Sequence, residues 1–573
     1  MRNFHQDAVI DEFEALTKDV GKVQRETLKM ILEENSEAEY LQNLGLGGRT
    51  DPESFKACVP LVSHADLDSY IRRIVAGESS SILTGKPITS LSLSSGSTQG
   101  KPRYVPFNDL LLQNAIQVYR TSFAFRNKVF PHGDGKALKF IYGSHEVRTS
   151  GGLVAASVST NIFSSDQFKR TMKDIQSQAT SPDEVIFGRS FEQSLYCHFL
   201  CGLLSYQEVQ FIFAAFVYSI VQAFRTFELV WEELCANIRD GVLSPKITDP
   251  SMRAAVSKLL IPNPQLADEI YNKCKGLNNW LGLIPALWPN AKYVHGIMTG
   301  SMEPYLKKMR HYAGDLPLLS GDYGSSECMI GANIHPELRP EEVRFAVIPD
   351  IGYFEFIPMA TNSGDKPAVE AEPIGLEEIE VGKEYEIIIT NFAGLYRYRL
   401  GDVVRVGGFH NSTPELQFVC RRGLVLNVNI DKNTERDLKL AVEEASKLVA
   451  TENLEVIDFS SCVDRSAEPG HYVIFWELSG EARESVLHSC ADCLDRSFVD
   501  SGYMISRKAK GIAPLELRIV RQGTFRKVLE HYINQGASMS QFKNPRYVSP
   551  SNAAVLRILC DNVVERFFSM AYD

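Results

Sequence analysis

The chain has 573 residues, 44% of them hydrophobic and 23% charged, and a formal net charge of -11. It is too long for one ordinary domain, and its composition is that of a globular protein in water. The acidic balance argues against nucleic acid or an anionic membrane as partner, and the longest apolar run, Phe211 to Tyr218, is far short of the roughly 20 residues a span needs.

The first 40 residues read as helices, with Val9, Ile10, Phe13 and Leu16 on one face and Leu28, Ile31 and Leu32 on the next. Asp7, Asp11, Glu12 and Glu14 interrupt that start, so it does not read as a secretory signal. A strand then ends in the stretch Ser92 to Pro102. Residues Ala137 to Phe163 read as strand, turn and strand, and Glu208 to Arg239 as one long helix whose aromatic residues are mostly core. Val343 to Ile348, Tyr353 to Ile357, Glu384 to Thr390 and Leu416 to Cys420 read as strands, with a polar loop from Ala360 to Pro373.

A boundary is expected near Arg421-Arg422-Gly423, giving a large domain over 1–422 and a smaller one over 423–573. The second contains helices at Thr434 to Val449 and Ala482 to Phe498. With the strands Glu455 to Phe459, His471 to Glu477 and Leu515 to Val520 they make an α+β unit. Eleven cysteines are scattered through the chain. Cys490 with Cys493, and Cys197 with His198 and Cys201, lack a second pair at zinc spacing, so they read as reduced, buried thiols in a cytoplasmic protein.

Three polar clusters carry the chemistry. Ser92 to Pro102 combines hydroxyls, two glycines and Lys101, the makings of a phosphate-gripping loop. Lys101 is followed by Pro102 rather than Ser or Thr, so this is not a Walker loop. In Gly321-Asp322-Tyr323-Gly324-Ser325-Ser326-Glu327, Tyr323 offers a ring for a purine and Glu327 a hard oxygen for magnesium. In Leu395 to Asp402, Asp402 is expected after a strand and a turn, where a carboxylate can accept both ribose hydroxyls.

In that order the clusters resemble the adenylate-forming superfamily, and specifically the plant auxin-responsive acyl-acid amido synthetases, the Gretchen Hagen three family. Ser159-Thr160-Asn161, Gly296 to Met302, His311 to Gly314, Asn429 to Glu435 and Gln541 to Arg546 extend the likeness along the whole chain. It is most similar to the jasmonate-conjugating branch, which joins a hormone acid to an amino acid, typically isoleucine. The resemblance implies an α/β fold, a firefly-luciferase-like N-terminal domain with a smaller mobile C-terminal one. It also implies ATP and Mg2+ as cofactors, with a small carboxylic acid and an amino acid as partners. Oligomeric state stays open, a monomer being compatible.

By the same resemblance Ser92, Ser95, Ser97 and Thr98 serve the phosphates and the acyl carboxylate, and Asn161 the nucleotide. Tyr323, Gly324, Ser325, Ser326, Glu327, Cys328 and Met329 surround the nucleotide, Glu327 holds the metal, and Asp402 binds ribose. Ser95, Glu327 and Lys543 carry the catalytic roles; without the family match Lys543 reads as a surface lysine. Ser159, Thr160, Asn161, Ile162 and Phe163 form an acceptor wall, joined by the strand Leu517, Arg518, Ile519, Val520 and Arg521, whose two arginines read equally well as surface charges. Leu112, Ala115, Phe213 and Phe216 are expected in the acyl wall. Jasmonate enzymes commonly carry Gly-Trp after the Ser-Ser-Glu and a histidine two before the Tyr. Here Cys328, Met329 and Gly321 stand instead, which leaves an enlarged pocket. An auxin or benzoate ligase and a ligand-binding regulator without turnover remain the alternative readings.

Overall fold

The computed structural model describes residues 4–93, 103–131, 133, 135–142, 147–175, 179–188, 190–359, 370–537, 539 and 542–572. Its contacts divide the chain into two compact units. One holds residues 1–94, 104–418 and 538–541; the other holds 95–103, 419–537 and 542–573. The division falls inside the strand Thr413–Arg421. Among the described residues no helix is long and apolar enough to cross a membrane.

The first unit is built on three sheets. A parallel sheet runs in the order Lys136–Phe140, Val209–Phe216, Tyr293–Ile297 and Leu318–Ser320. An eight-stranded sheet pairs Tyr353–Pro358, Glu384–Thr390 and Tyr398–His410 antiparallel and ends at Met329–Ala332 and Tyr323–Gly324. A small sheet joins Ser90–Leu93 to Tyr104–Phe107 and to Val154–Ala156.

Helix Asp109–Val129 starts where Asn108 caps it, its Oδ1 accepting from the Leu111 amide (3.1 Å). The same side chain donates through Nδ2 to the Phe392 carbonyl (2.9 Å), so one asparagine both starts the helix and pins it beside the eight-stranded sheet. The expected early helices form as Gln6–Leu16 and Val20–Glu34.

Two sequence expectations are corrected. Residues expected as one helix from Glu208 are a strand, Val209–Phe216, followed by the helix Val217–Asp240. The strand is central in a parallel sheet and apolar on both faces, so its run of Phe, Ile and Ala carries no alternation to separate it from a buried helix. The strands expected in a unit from Ala137 to Phe163 belong to different sheets: Lys136–Phe140 pairs with Val209–Phe216, Val154–Ala156 with Ser90–Leu93. Residues Val158–Phe163 are helical, capped by Ser157 Oγ, which accepts from the Thr160 amide (3.2 Å). Asp402 follows the strand Glu384–Thr390 and a turn, as expected, and itself lies inside the next strand, Tyr398–His410, just past Gly401 at φ +79°.

The second unit is an α+β layer with strand order Val456–Asp464, His471–Leu478, Glu516–Val520 and Val563–Phe568. Ile474, Trp476, Leu517 and Ile519 pack against helices Glu435–Ala450 and Glu484–Ser497 in one apolar core. The residues between them carry charge. Arg518 Nη2 donates to Glu516 Oε2 (2.6 Å) and Asp464 Oδ2 (3.3 Å), and His471 Nε2 lies 3.1 Å from Glu516 Oε2. Asp464, His471 and Glu516 come close enough to suggest a metal, but the Arg518 guanidinium already balances the two carboxylates.

Burial pushes the Glu516 carboxyl up, while the bonds from His471 and Arg518 outweigh it and hold it at about 2. A depressed carboxyl adds stability above its unfolded range near 4.5 and loses it as pH falls toward 2. Glu516→Gln is therefore expected to destabilise the protein by about 2 kcal/mol at pH 7. The difference from wild type should shrink steadily between pH 4.5 and 2 in denaturant titrations. A gap independent of pH would show that the charge of Glu516 is not what stabilises the unit.

Candidate active site

The segment Gly321 to Met329 leaves the parallel sheet after Ser320 and enters the eight-stranded sheet by a tight turn. The Ser325 amide donates to the Cys328 carbonyl (2.8 Å), and Ser325 Oγ accepts from the amides of Glu327 (3.1 Å) and Cys328 (3.2 Å). Those bonds set Glu327 at the tip of the turn, half-buried, with the Tyr398 hydroxyl donating to Oε1 (3.4 Å) and Asn391 Nδ2 to its carbonyl oxygen (2.7 Å). No basic side chain among the described residues pairs with that carboxylate. A half-buried oxygen donor without a counter-cation fits a divalent ion.

Asp402 comes to the same turn from the neighbouring motif. It is 4% exposed, and its Oδ2 accepts from the Tyr323 hydroxyl (3.0 Å). Tyr323 is itself buried, its ring against Phe345 (5.5 Å) and Phe418 (6.1 Å between centroids). The phenol thus orients Asp402 rather than presenting an open face. Ser326 is half-buried, and Cys328 is buried with its thiol donating to the Met329 carbonyl; burial pushes that thiol up to about 12, so it is no nucleophile.

Elsewhere in the first unit, Asn161 Nδ2 donates to the Leu91 carbonyl (3.1 Å) and to Ser92 Oγ (3.3 Å), which ties two sequence-distant candidates together. Ser159 and Thr160 share the hydroxyl of Ser157 (3.1 and 2.9 Å). Ser95, Ser97, Thr98 and Lys101 lie outside the described residues.

The expected acyl wall is half assembled. Leu112, Ala115, Ile162 and Ala393 form one apolar cluster, with Phe163 and Met329 packed partly buried against it. Phe213 does not join them. It stacks on His295 (5.4 Å) in a cluster with Ala137, Phe211 and Tyr293 at the parallel sheet, because it is a strand residue and not a helical one. Phe216 is likewise on that strand and is buried.

In the second unit Leu517 and Ile519 are core, Val520 is buried and Arg521 is exposed. Arg518 is not a surface charge: it is 7% exposed and paired with Glu516. Lys543 is half-buried in the same unit. A residue passed over at the sequence level is Asp322, although it sits inside a motif quoted for its neighbours. It accepts from Ser122 Oγ (2.9 Å) and the Asn333 amide (3.1 Å), and burial lifts its carboxyl to about 6.

The chain matches three consecutive family models: the GH3 family N-terminal domain over residues 9–318, the GH3 family central domain over 345–421 and the GH3 family C-terminal domain over 436–552. It is 62% identical over 570 residues to a jasmonoyl-L-amino acid synthetase of Oryza sativa subsp. japonica, covering 98% of each chain. It is 48% identical over 585 residues to an indole-3-acetic acid-amido synthetase of Arabidopsis thaliana, covering 99% of each. Among solved structures, the GH3.15 acyl acid amido synthetase superposes with a TM-score of 0.91 at 36% identity, covering 99% of this chain and 98% of that one. The fold is therefore that of an acyl acid amido synthetase. The chain belongs to the GH3 family.

Two glycines of the turn respond differently to a methyl group. A Cβ on Gly321 meets Ile297 Cγ1 at 3.4 Å, ordinary contact, whereas one on Gly324 falls 2.5 Å from Met329 Sδ. Gly321→Ala is expected to change stability by less than about 0.5 kcal/mol. Gly324→Ala should cost about 1 kcal/mol or more by displacing Met329. Urea unfolding of the two variants checks this, and equal losses would show that Met329 is not packed against the turn.

Proposed function

We propose that this chain is an ATP-dependent ligase that adenylates jasmonate and transfers the acyl group to the amine of an amino acid, with isoleucine favoured. The observation that carries the reading is 62% identity over nearly the full length to jasmonoyl-L-amino acid synthetases.

The chemistry explains the residues. A carboxylate is a poor acyl donor because its leaving group would be oxide. Bound ATP supplies the adenylyl group that turns it into a mixed anhydride, and magnesium offsets the charge of the phosphates. Glu327, fixed at the tip of its turn without a basic partner among the described residues, would be the protein oxygen for that cation. Asp402, oriented by Tyr323, takes the ribose hydroxyls. Ser92 and Asn161 hold each other beside the hydroxyl loop, to which Ser95, Ser97 and Thr98 contribute neutral donors. Lys543 brings a cation to the phosphates, and Ser159 to Phe163 border the amino-acid acceptor. Residues 1–422 are thus assigned to ATP and acid, and 423–573 to Lys543. No side chain acts as a covalent nucleophile; positioning and charge do the work.

The auxin reading rests on the 48% identity to an indole-3-acetic acid-amido synthetase and ranks second by that margin. A matrix of jasmonate, indole acetate and benzoate against the twenty amino acids, read by mass, tests both. Amide products confined to indole acetate would transfer the assignment to auxin, and ATP binding without any product would favour the regulator.

Two substitutions probe the assigned roles. Asp402→Ala removes charge-assisted bonds of about 1.5 to 3 kcal/mol each, so KM for ATP should rise at least tenfold in a protein that still unfolds cooperatively. An unchanged KM would take Asp402 out of the nucleotide site. Met329→Trp fills the wall beside Leu112 and Ala115. It should keep or raise kcat/KM for jasmonate and cut it roughly tenfold for a bulkier acid. Parallel changes for every acid would mean that residue 329 does not touch the acyl group.

A further inference from the structure

The turn that carries Glu327 is a hairpin: Tyr323–Gly324 pairs antiparallel with Met329–Ala332, Gly324 opposite Met329 and Tyr323 opposite Gly331. At its base side chains take over from the ladder. Asp322 Oδ1 accepts from the Asn333 amide (3.1 Å), and Asn333 Nδ2 donates to the Ser320 carbonyl (2.9 Å), so the two ends of the hairpin are clasped to each other. Asp322 Oδ2 leaves the hairpin and accepts from Ser122 Oγ (2.9 Å) on the helix Asp109–Val129. Tyr323, the next residue, reaches instead to Asp402 Oδ2 (3.0 Å) in the strand Tyr398–His410. Two consecutive side chains thus tie the hairpin to a helix and to a sheet strand.

The three residues of this clasp are buried, Ser122 at 1%, Asn333 at 6% and Asp322 at 8% exposure. Burial lifts the Asp322 carboxyl to about 6, against the opposing pull of the Asn333 amide, the Arg126 guanidinium and the Ser122 hydroxyl, in that order. An apolar pair would fill the same space without that desolvation cost, whereas hydrogen bonds of fixed length and angle hold one geometry. What they hold is specific. The helix Asp109–Val129 supplies Leu112 and Ala115 to the proposed acid wall, and the hairpin carries Glu327 and orients Asp402 on the proposed nucleotide side. Met329, in the second strand of the hairpin, packs against that wall. Apolar contact is non-directional and tolerates sliding; the bond between Ser122 and Asp322 does not.

We propose that Asp322 is a positioning residue for adenylation: by locking the hairpin to the helix through Ser122 and Asn333, it sets the distance between the acid carboxylate and the α-phosphorus of ATP. The inference rests on the ligase reading and deepens it, adding a residue that acts through its neighbours. Each half of the site keeps the groups that bind its own ligand when the clasp is cut. What is lost is the alignment of one half on the other, and a misplacement of about 1 Å costs on the order of a hundredfold in rate. The signature is therefore a fall in kcat with both KM values retained.

The test measures pyrophosphate release with isoleucine and whichever of jasmonate, indole acetate and benzoate the wild type turns over fastest, varying ATP and acid in turn. Asp322→Ala should lower kcat at least about tenfold while KM for ATP and for the acid stay within about threefold of wild type. Asp322→Asn, whose amide can accept from Asn333 and donate to Ser122 Oγ, should recover kcat to within about threefold. Ser122→Ala should lower kcat about threefold to tenfold, and adding it to Asp322→Ala should cost no more than about a further twofold, since both cut one bond. Thermal unfolding shows which variants are folded; if Asp322→Ala is not, Ser122→Ala and Asp322→Asn decide by the same criteria. An unchanged kcat, a rise of about tenfold in KM for ATP at constant kcat, or an Asp322→Asn as slow as Asp322→Ala overturns the inference and leaves the ligase reading intact. No pyrophosphate release by wild type with any acid overturns the ligase reading itself, and the inference with it.

Discussion

A single buried ion pair fixes the frame on which the candidate site is hung. Arg397 donates through Nε and Nη2 to the two oxygens of Glu355, both at 3.0 Å, and through Nη1 to the carbonyls of Lys56 and Val59. With 7% and 1% exposure, the pair has little water to compete with it, and breaking it by removing one partner would leave a bare charge in the core. Its backbone is also committed: the Arg397 amide donates to Thr390 Oγ1, its carbonyl accepts from Val62, and φ is +44°. A non-glycine residue is held in that conformation only by such over-determination. One residue later the strand Tyr398–His410 begins, and four residues after that comes Asp402. The position of the proposed ribose acceptor therefore depends on an arginine that itself touches no ligand.

The helix Asp109–Val129 plays the corresponding part for the proposed acyl wall. Asn108 anchors its start to the Phe392 carbonyl, and Ser122 and Arg126 anchor its far half to Asp322 and His295. Between these polar attachments only apolar residues face Ile162, Ala393 and Met329. The helix behaves as a rigid ruler, since its backbone is internally bonded and its ends are fixed by different sheets. On the proposed reading, changes in acid preference come from a residue packed against it, Met329, without disturbing the frame.

The second unit uses its sheet differently. One face is an ordinary apolar core around Trp476 and Leu517. The other places Glu477, Glu516, Arg518 and Asp458 in near-complete burial, each with a specific partner: Glu477 accepts from the amides of Gly523 and Phe525, and Asp458 from Arg546. Alternation along the strands generates both faces from one sequence. Charges so paired specify register more than they add stability, because a slip by one residue would expose the apolar set and bury unpaired charge.

The sequence by itself determined the family, the chemistry and most elements, because those are written in local pattern. The amphipathic starts at Val9 and Leu28, the strand around Ile387 to Ile389 and the order of three polar clusters all survive as short-range signals. Tertiary structure decided the rest. Only sheet pairing separates Val209–Phe216 from the helix that follows, and that pairing sends Phe213 to His295 instead of to Leu112. Only burial distinguishes Arg518, paired inside the second unit, from Arg521 at the surface three residues on. Only the packing of a helix on a parallel sheet brings Arg126 to His295 and within electrostatic reach of Asp322, 169 and 196 positions away in sequence. Periodicity reports which face a residue occupies; the partner on that face comes from distant chain, and electrostatics inside a low-dielectric core depends on the partner.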